Sequence, residues 1–145
     1  MPTSGRVDPF RTFNFRLEFN GQEIGGFSEV SGLTADGDAV DYREGSDSQL
    51  NVRKLVGMRK FGPVTCKRGY TLDKTLWEWH TNISNGVADR RDVTIILLNE
   101  ARVPVIRWHV ENAWVNKIEG PNLKASANEV AVESVELIHE GLTIE

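Results

Sequence analysis

The chain has 145 residues, of which 39% are hydrophobic and 26% charged, and its formal net charge is −4. This length predicts one domain, residues 1–145, that can bury a core without cross-links. The single cysteine, Cys66, excludes an intrachain disulfide and a cysteine-based zinc site, and its strand-like surroundings predict a buried structural thiol. The acidic balance argues against nucleic acid as the main partner.

Residues 1–9 are polar and contain two prolines, which predicts a flexible N-terminal arm. They have no apolar signal-peptide core, and no apolar run approaches the roughly 20 residues that span a bilayer. We therefore expect assembly in the cytoplasm without a signal peptide. Release would then require lysis or transport inside a larger particle.

The first β-strand is predicted from strict alternation, since Phe13, Phe15, Leu17 and Phe19 alternate with polar residues. The Asn-Gly pair that follows is the strongest short signal for a hairpin turn, so residues 22–30 should return antiparallel. Further strands are predicted at residues 39–44 and 63–70. Residues 51–61 fit neither the helical nor the strand period.

An apolar stripe at helical spacing predicts one flanking α-helix at about residues 72–85. Thr71 or Asp73 can cap its start, and Gly86 follows its end. The stripe consists of Leu72, Leu76, Trp79 and Ile83.

The C-terminal half predicts more strands. Residues 93–98 form an apolar run interrupted only by Thr94, which is typical of a strand covered on both faces. In the last strand the apolar parity changes near residues 133–134, which predicts a bulge. The chain is therefore mainly β, and we expect an antiparallel β-barrel or sandwich, closed or nearly closed, with one helix packed across it.

No catalytic constellation is apparent. His80, His109 and His139 lie on separate predicted elements, and no nucleophile elbow, phosphate loop or dinucleotide glycine motif occurs. A calcium loop starting at Asp36 fails at its fifth, sixth and twelfth positions. We expect no enzyme activity, no cofactor and no metal. A small ligand-binding barrel enzyme, for example with a flavin, remains an alternative without a recognisable phosphate site.

Charge separates by sign along residues 29–68. Residues 29–47 carry six acids and one arginine, a net charge of −5, and residues 53–68 carry six bases and no acid. Blocks of opposite charge on one chain can join copies head to tail, because a head-to-tail contact pairs two different patches that must complement each other. The expected interface charges are Asp41, Glu44, Asp47, Arg53, Lys54, Arg59 and Lys60.

The same basic residues leave a nucleic-acid-binding barrel open as an alternative, with Phe61 and Tyr70 as stacking groups. The adjacent acidic block argues against it, because it would repel phosphates. Of the four tryptophans, Trp79 and Trp108 fall on apolar stripes and are expected in the core. Trp77 and Trp114 do not, and are candidate interface residues.

Several segments together resemble the tail tube proteins of contractile phages, and above all the inner-tube subunits of phage-like extracellular contractile injection systems. The resemblance runs from residue 8 to residue 142. It is carried by DPFRTFNFRLEF (8–19), GFSEVSGL (26–33), YREG (42–45), VRKLVG (52–57), KRG (67–69), RRDVTIILLNE (90–100), NAW (112–114), EGP (119–121) and NEVAVESVELIHEGL (128–142).

The resemblance implies a structural subunit with no active site. Six copies would form a ring whose strands join into one inner barrel, and rings would stack into a hollow rod inside a contractile sheath. Residues 34–44 and 65–68 would line the lumen. Sheath contraction would drive the rod through a target membrane, with sheath, baseplate and terminator proteins as partners, cargo in the lumen and a final place in a phage-tail-like particle. The secreted ring protein of type VI secretion is an alternative that shares the fold.

Overall fold

The computed structural model describes residues 8–11, 14–46, 48–126 and 129–145, and the predicted arm at residues 1–9 lies mostly outside them. Within this part the chain forms ten strands and one helix. They are β1 (Phe15–Phe19), β2 (Gln22–Ile24), β3 (Phe27–Ser31), β4 (Asp36–Tyr42), β5 (Arg53–Lys60), β6 (Val64–Gly69), α1 (Thr75–Ser84), β7 (Arg91–Leu98), β8 (Pro104–Glu119), β9 (Val132–Ile138) and β10 (Gly141–Ile144).

Two antiparallel sheets share the long strand β8. The first sheet contains β2, β1, β7 and the N-terminal half of β8, with β10 on the other side of that half. The second sheet contains β3, β6, β9 and the C-terminal half of β8. β8 changes sheets beside Asn112, which has a positive φ of 52°. The register with β7 shifts at the same place, so a bulge turns the strand.

The predicted fold class is confirmed as mainly β and antiparallel with one flanking helix, and of the predicted barrel or sandwich the chain forms an open sandwich, with no closed barrel among the described strands. The strand order is β2-β1-β7-β8-β9-β6-β3, and among the described strands its two ends are not paired with each other. The predicted antiparallel return of residues 22–30 along the first strand is only partly correct. Only β2 follows the Asn20-Gly21 turn back along β1, and after Gly25-Gly26 the chain crosses to β6 as β3.

The core lies between the sheets and beneath α1. Leu17, Val64, Val93, Val115 and Leu137 are fully buried there together with other apolar residues of the two sheets. Residues 93–98 form a largely buried strand, as predicted. From α1, Leu76 and Trp79 enter this core. Trp79 donates its indole N–H to the Asp89 carbonyl at 2.7 Å. Trp108, expected in the core, is half-buried against it.

The helix begins three residues later than predicted. Leu72 is 95% exposed and lies outside α1, so it does not belong to the apolar stripe. Asp73 holds the turn before the helix, because its carboxylate accepts the Thr75 N–H at 3.0 Å. The predicted C-terminal glycine is confirmed. Gly86 has φ 82° and donates to the Ile83 carbonyl at 3.1 Å.

Strands β4 and β5 form a separate two-stranded sheet, called here the hairpin arm. Residues 51–61 showed no period because this arm is exposed on both faces, so neither face is selected for apolar side chains. The arm leaves the sandwich at a tightly packed root. At Gly32, with φ 90°, an added Cβ would lie 2.1 Å from the Pro63 carbonyl oxygen, so only glycine fits there.

The bulge predicted near residues 133–134 does not occur. β9 pairs with β6 in unbroken register from Val132 to Leu137, and Val130 lies exposed before the strand. The parity change arises because Glu133 points into the interior as a buried charged residue. Sequence alternation alone does not anticipate a carboxylate at a core position.

Candidate functional site

The acidic and basic segments meet within one chain, on the hairpin arm. Lys54 forms an ion pair with Asp41, and Lys60 Nζ lies 3.1 Å from Asp38 Oδ2. The antiparallel register of β4 and β5 brings these residues side by side. Pairing between copies is therefore not needed to neutralise these charges.

Both faces of the hairpin arm carry exposed apolar side chains. Val56 and Met58 are each 80% exposed. Val40, Tyr42 and Leu55 lie on the face turned away from Val56, and all three are also exposed. An isolated two-stranded hairpin is only marginally stable in water, and a large exposed apolar patch is typical of an interaction surface. The arm thus has the composition of a segment covered by another protein surface.

The other predicted interface residues are spread over the chain. Glu44 follows β4 and accepts the Tyr42 hydroxyl at 3.1 Å, and Asp47 lies outside the described residues. Trp77 is 39% exposed on α1, and its ring lies nearly perpendicular to that of His80. Trp114 lies within β8 and is half-buried. Neither tryptophan lies on the hairpin arm.

The second sheet has a polar outer face that sequence reasoning largely missed. Its side chains form two rows across the strands, called here the upper row and the lower row. The upper row is Glu29, Lys67, Ser134 and Glu119, and the lower row is Ser31, Thr65, Glu136 and Lys117. Of these eight residues, only Thr65 and Lys67 were expected to face a lumen, and the other expected lining segment, residues 34–44, lies largely on the hairpin arm. Alternation within residues 115–119 was the available signal for Lys117 and Glu119.

The charges of this face form a surface network. Lys117 Nζ lies 2.8 Å from Glu119 Oε1, and Lys67 Nζ lies 3.6 Å from Glu29 Oε2. The hydrogen bond from Lys117 lowers the pKa of Glu119, and the charges of Lys117 and Lys67 act in the same direction. The same hydrogen bond raises the pKa of Lys117. Both carboxylate and ammonium therefore stay charged at neutral pH.

Arg68 does not belong to this face, although the sequence placed it in the basic block and in the lumen lining. Its side chain is buried and forms an ion pair with buried Glu133. It also donates to the Asp73 carboxylate and carbonyl, each at 3.1 Å, and lies 5.8 Å from the Phe27 ring centre. Arg68 thus joins three strands of the second sheet to the segment before α1.

The second sheet has two open edges among the described residues. One edge is β3, which ends the strand order and pairs only with β6. The other is the C-terminal half of β8, where residues 114–119 pair only with β9. Unpaired strand edges offer backbone donors and acceptors to another chain. The sheet can therefore be extended on both sides.

The nucleic-acid alternative loses its support at the same residues. Of the basic block, Lys54, Lys60 and Lys67 are paired with carboxylates, and Arg68 is buried.

In the described part of the chain, no group of three or more His, Cys, Asp or Glu side chains is arranged to hold a metal ion. No helix found there is long and apolar enough to cross a membrane.

We expect Cys66 to resist thiol reagents in the folded protein. Its side chain is buried, and burial raises the pKa of the thiol to about 12, so the reactive thiolate is scarce at neutral pH. A maleimide reagent should label the protein only after guanidinium unfolding, as followed by mass spectrometry. Labelling of the native protein at the rate of a free thiol would contradict this burial.

The sequence and the fold match known tail tube proteins. No curated protein sequence matches the chain significantly. A chain of an extracellular contractile injection system, solved as the PVC sheath-tube complex in the extended state, is 26% identical with a TM-score of 0.84, covering 94% of this chain and 91% of that chain. A chain from the anti-feeding prophage (AFP) tube terminating cap is 27% identical with a TM-score of 0.88, covering 99% and 95%.

A type six secretion system protein is more distant. It is 9% identical with a TM-score of 0.57, covering 91% of this chain and 82% of that chain, which shows a shared fold alone. The model of the family described as T4-like virus tail tube protein gp19 matches residues 11–143. The resemblance noted in the sequence is therefore confirmed. The chain belongs to this family, and it is a structural tail tube subunit of the contractile injection system type and not an enzyme.

Proposed function

We propose that six copies of this chain form a ring and that the rings stack into the hollow inner tube of a contractile injection particle. Contraction of the surrounding sheath would drive this tube through a target membrane. The number six comes from the family resemblance. The observation that carries the proposal is the pair of open edges on the second sheet, which face opposite ways across one polar surface.

Strand direction supports closure into a ring. The four strands β3, β6, β9 and β8 alternate in direction, because each neighbouring pair is antiparallel. Rotation about the ring axis preserves strand direction, so β8 of one copy meets β3 of the next in antiparallel orientation. An odd number of strands would create a parallel junction. Closure also removes the open edges, which would otherwise promote uncontrolled aggregation.

The polar face of the second sheet supports a water-filled lumen. Its two rows contain charged and hydroxyl side chains, whereas the opposite face of the same strands contributes Val64, Cys66, Val135 and Leu137 to the core. A sheet with one apolar and one hydrated face is typical of antiparallel sheets. We place this face on the lumen, where cargo would pass.

The hairpin arm is assigned to contacts with neighbouring copies. Its exposed apolar faces would be covered there, and its charge pairs would lie at the rim of the contact. The proposed contact residues on or beside the arm are Asp41, Glu44, Arg53, Lys54, Arg59 and Lys60, and Asp47 is included from sequence alone. Trp77 and Trp114 are proposed for contacts elsewhere on the subunit, Trp114 at the open edge of β8.

The proposed partners are those that the family resemblance implies. We propose that the tube binds a contractile sheath on its outside, a baseplate at one end and a terminator at the other. The matched relatives come from a sheath-tube complex and from a tube terminating cap, which supports the first and last of these assignments. The assembled particle would act outside the producing cell after release.

The proposal is tested by electron microscopy of the purified protein at increasing concentration. We expect six-fold rings or hollow tubes, with no requirement for nucleic acid. A nuclease-treated sample serves as the control for assembly on a nucleic-acid scaffold. A protein that remains monomeric at high concentration, alone and with its sheath, would contradict the proposal.

A further inference from the structure

We propose that charge sets the stagger between neighbouring copies, which is the offset of β8 of one copy along β3 of the next. In this arrangement Lys117 of one copy lies beside Glu29 of the next. This inference rests on the ring proposed above, and it names the side chains that fix the junction between β8 and β3. Across one copy, the upper row begins at Glu29 and ends at Glu119, and the lower row ends at Lys117.

A junction without stagger would join the upper row of one copy to the upper row of the next, and the lower row to the lower row. Glu119 would then lie beside the next copy's Glu29, and like charges directly opposite each other destabilise a sheet. A stagger of one residue is excluded, because it would turn the polar face of β3 towards the core side. The remaining arrangements are offsets of two residues, in one direction or the other along β3.

The two such staggers differ in what Lys117 meets. In one direction Lys117 lies opposite Leu33, just beyond the end of β3, which offers no partner to an ammonium group. In the other direction Lys117 lies opposite the next copy's Glu29. The second arrangement joins the lower row of one copy to the upper row of the next.

This junction extends ion pairs that already exist on each side. Glu136 lies opposite Lys117 within one copy, and its charge contributes to the raised pKa of Lys117, behind the hydrogen bond with Glu119. Glu29 is within 3.6 Å of Lys67 in its own copy. The sequence of charges across the junction is thus Glu136, Lys117, Glu29, Lys67, with alternating sign. A stagger is also what a sheet needs in order to close into a barrel.

Two double-cysteine variants distinguish the staggers. Directly opposed residues have Cβ atoms about 4.5–5.5 Å apart, whereas residues displaced by two positions are about 7–8 Å apart, beyond disulfide range. Assembled tubes of Glu29→Cys/Lys117→Cys and of Glu29→Cys/Glu119→Cys are oxidised and run on a non-reducing gel. The wild type, whose only cysteine is buried, is the matched control for background cross-linking.

We expect a ladder of cross-linked species up to the closed ring for the 29/117 variant, and monomer for the 29/119 variant. A ladder for 29/119 alone, or for neither variant in intact tubes, would overturn the inferred stagger while leaving the tube proposal standing. Absence of rings in the wild type would instead overturn the tube proposal. Because both variants remove Glu29, the stagger measured by cryo-electron microscopy of wild-type tubes, which keep every charge, decides between the same two pairs.

Discussion

Replacing Val56 and Met58 by aspartate should leave a folded protein that no longer assembles. Both side chains are 80% exposed in the single chain, and the hairpin arm to which they belong forms its own two-stranded sheet. The core therefore loses nothing. An unpaired charge buried at an interface costs several kcal/mol, and about 4 kcal/mol weakens association roughly a thousandfold.

Sedimentation velocity and electron microscopy would measure assembly of this variant, and circular dichroism would measure its fold. Leu72→Asp is the control, because Leu72 is also apolar and even more exposed, at 95%, but lies outside the hairpin arm. We expect the control to form tubes. Tubes of normal length from Val56→Asp/Met58→Asp, or an unfolded double variant, would show that the hairpin arm is not an assembly surface separable from the fold.

Replacing Arg68 by methionine should destabilise the fold more than any substitution on the polar face. Glu133 would then be buried without its only hydrogen-bonded partner among the described residues, and the Asp73 segment before α1 would lose two bonds. Removing one member of a buried ion pair costs about 3–5 kcal/mol. Guanidinium unfolding followed by tryptophan fluorescence, at protein concentrations too low for assembly, measures this loss.

The double variant Arg68→Met/Glu133→Leu separates the charge effect from the packing effect. Replacement of both charges by apolar groups of similar size is often neutral or stabilising. We expect the double variant to recover most of the stability lost in Arg68→Met. Equal losses in the single and double variants would mean that Arg68 acts through the Asp73 segment alone.

The sequence predicted the features that local chemistry determines. The Asn20-Gly21 turn, the apolar strand at residues 93–98 and the glycine after α1 all depend on a few adjacent residues, and each was confirmed. The mainly β fold with one helix follows from the same periodicities. The choice between barrel and sandwich was not predictable in this way, because it depends on the crossing at Gly25-Gly26, where the chain leaves one sheet for the other.

The candidate site was only partly predictable. The charge blocks drew attention to the segment that forms the hairpin arm, but the sequence did not show that their opposite charges pair within one chain. In the sequence, Arg68 and Glu133 look like surface charges, because these two paired residues are 65 positions apart. The two rows of the polar face likewise require the register of four strands, which no single segment contains.

In the proposed tube, the open edges of the second sheet close a ring around its polar face. A cryo-electron microscopy reconstruction of the purified protein at near-atomic resolution would show this ring and its strand pairing. We expect β8 of each copy to be hydrogen-bonded antiparallel to β3 of the next, with Thr65, Lys67 and Lys117 facing the lumen. A ring in which these edges stay unpaired, or in which this face points outward, would contradict the account.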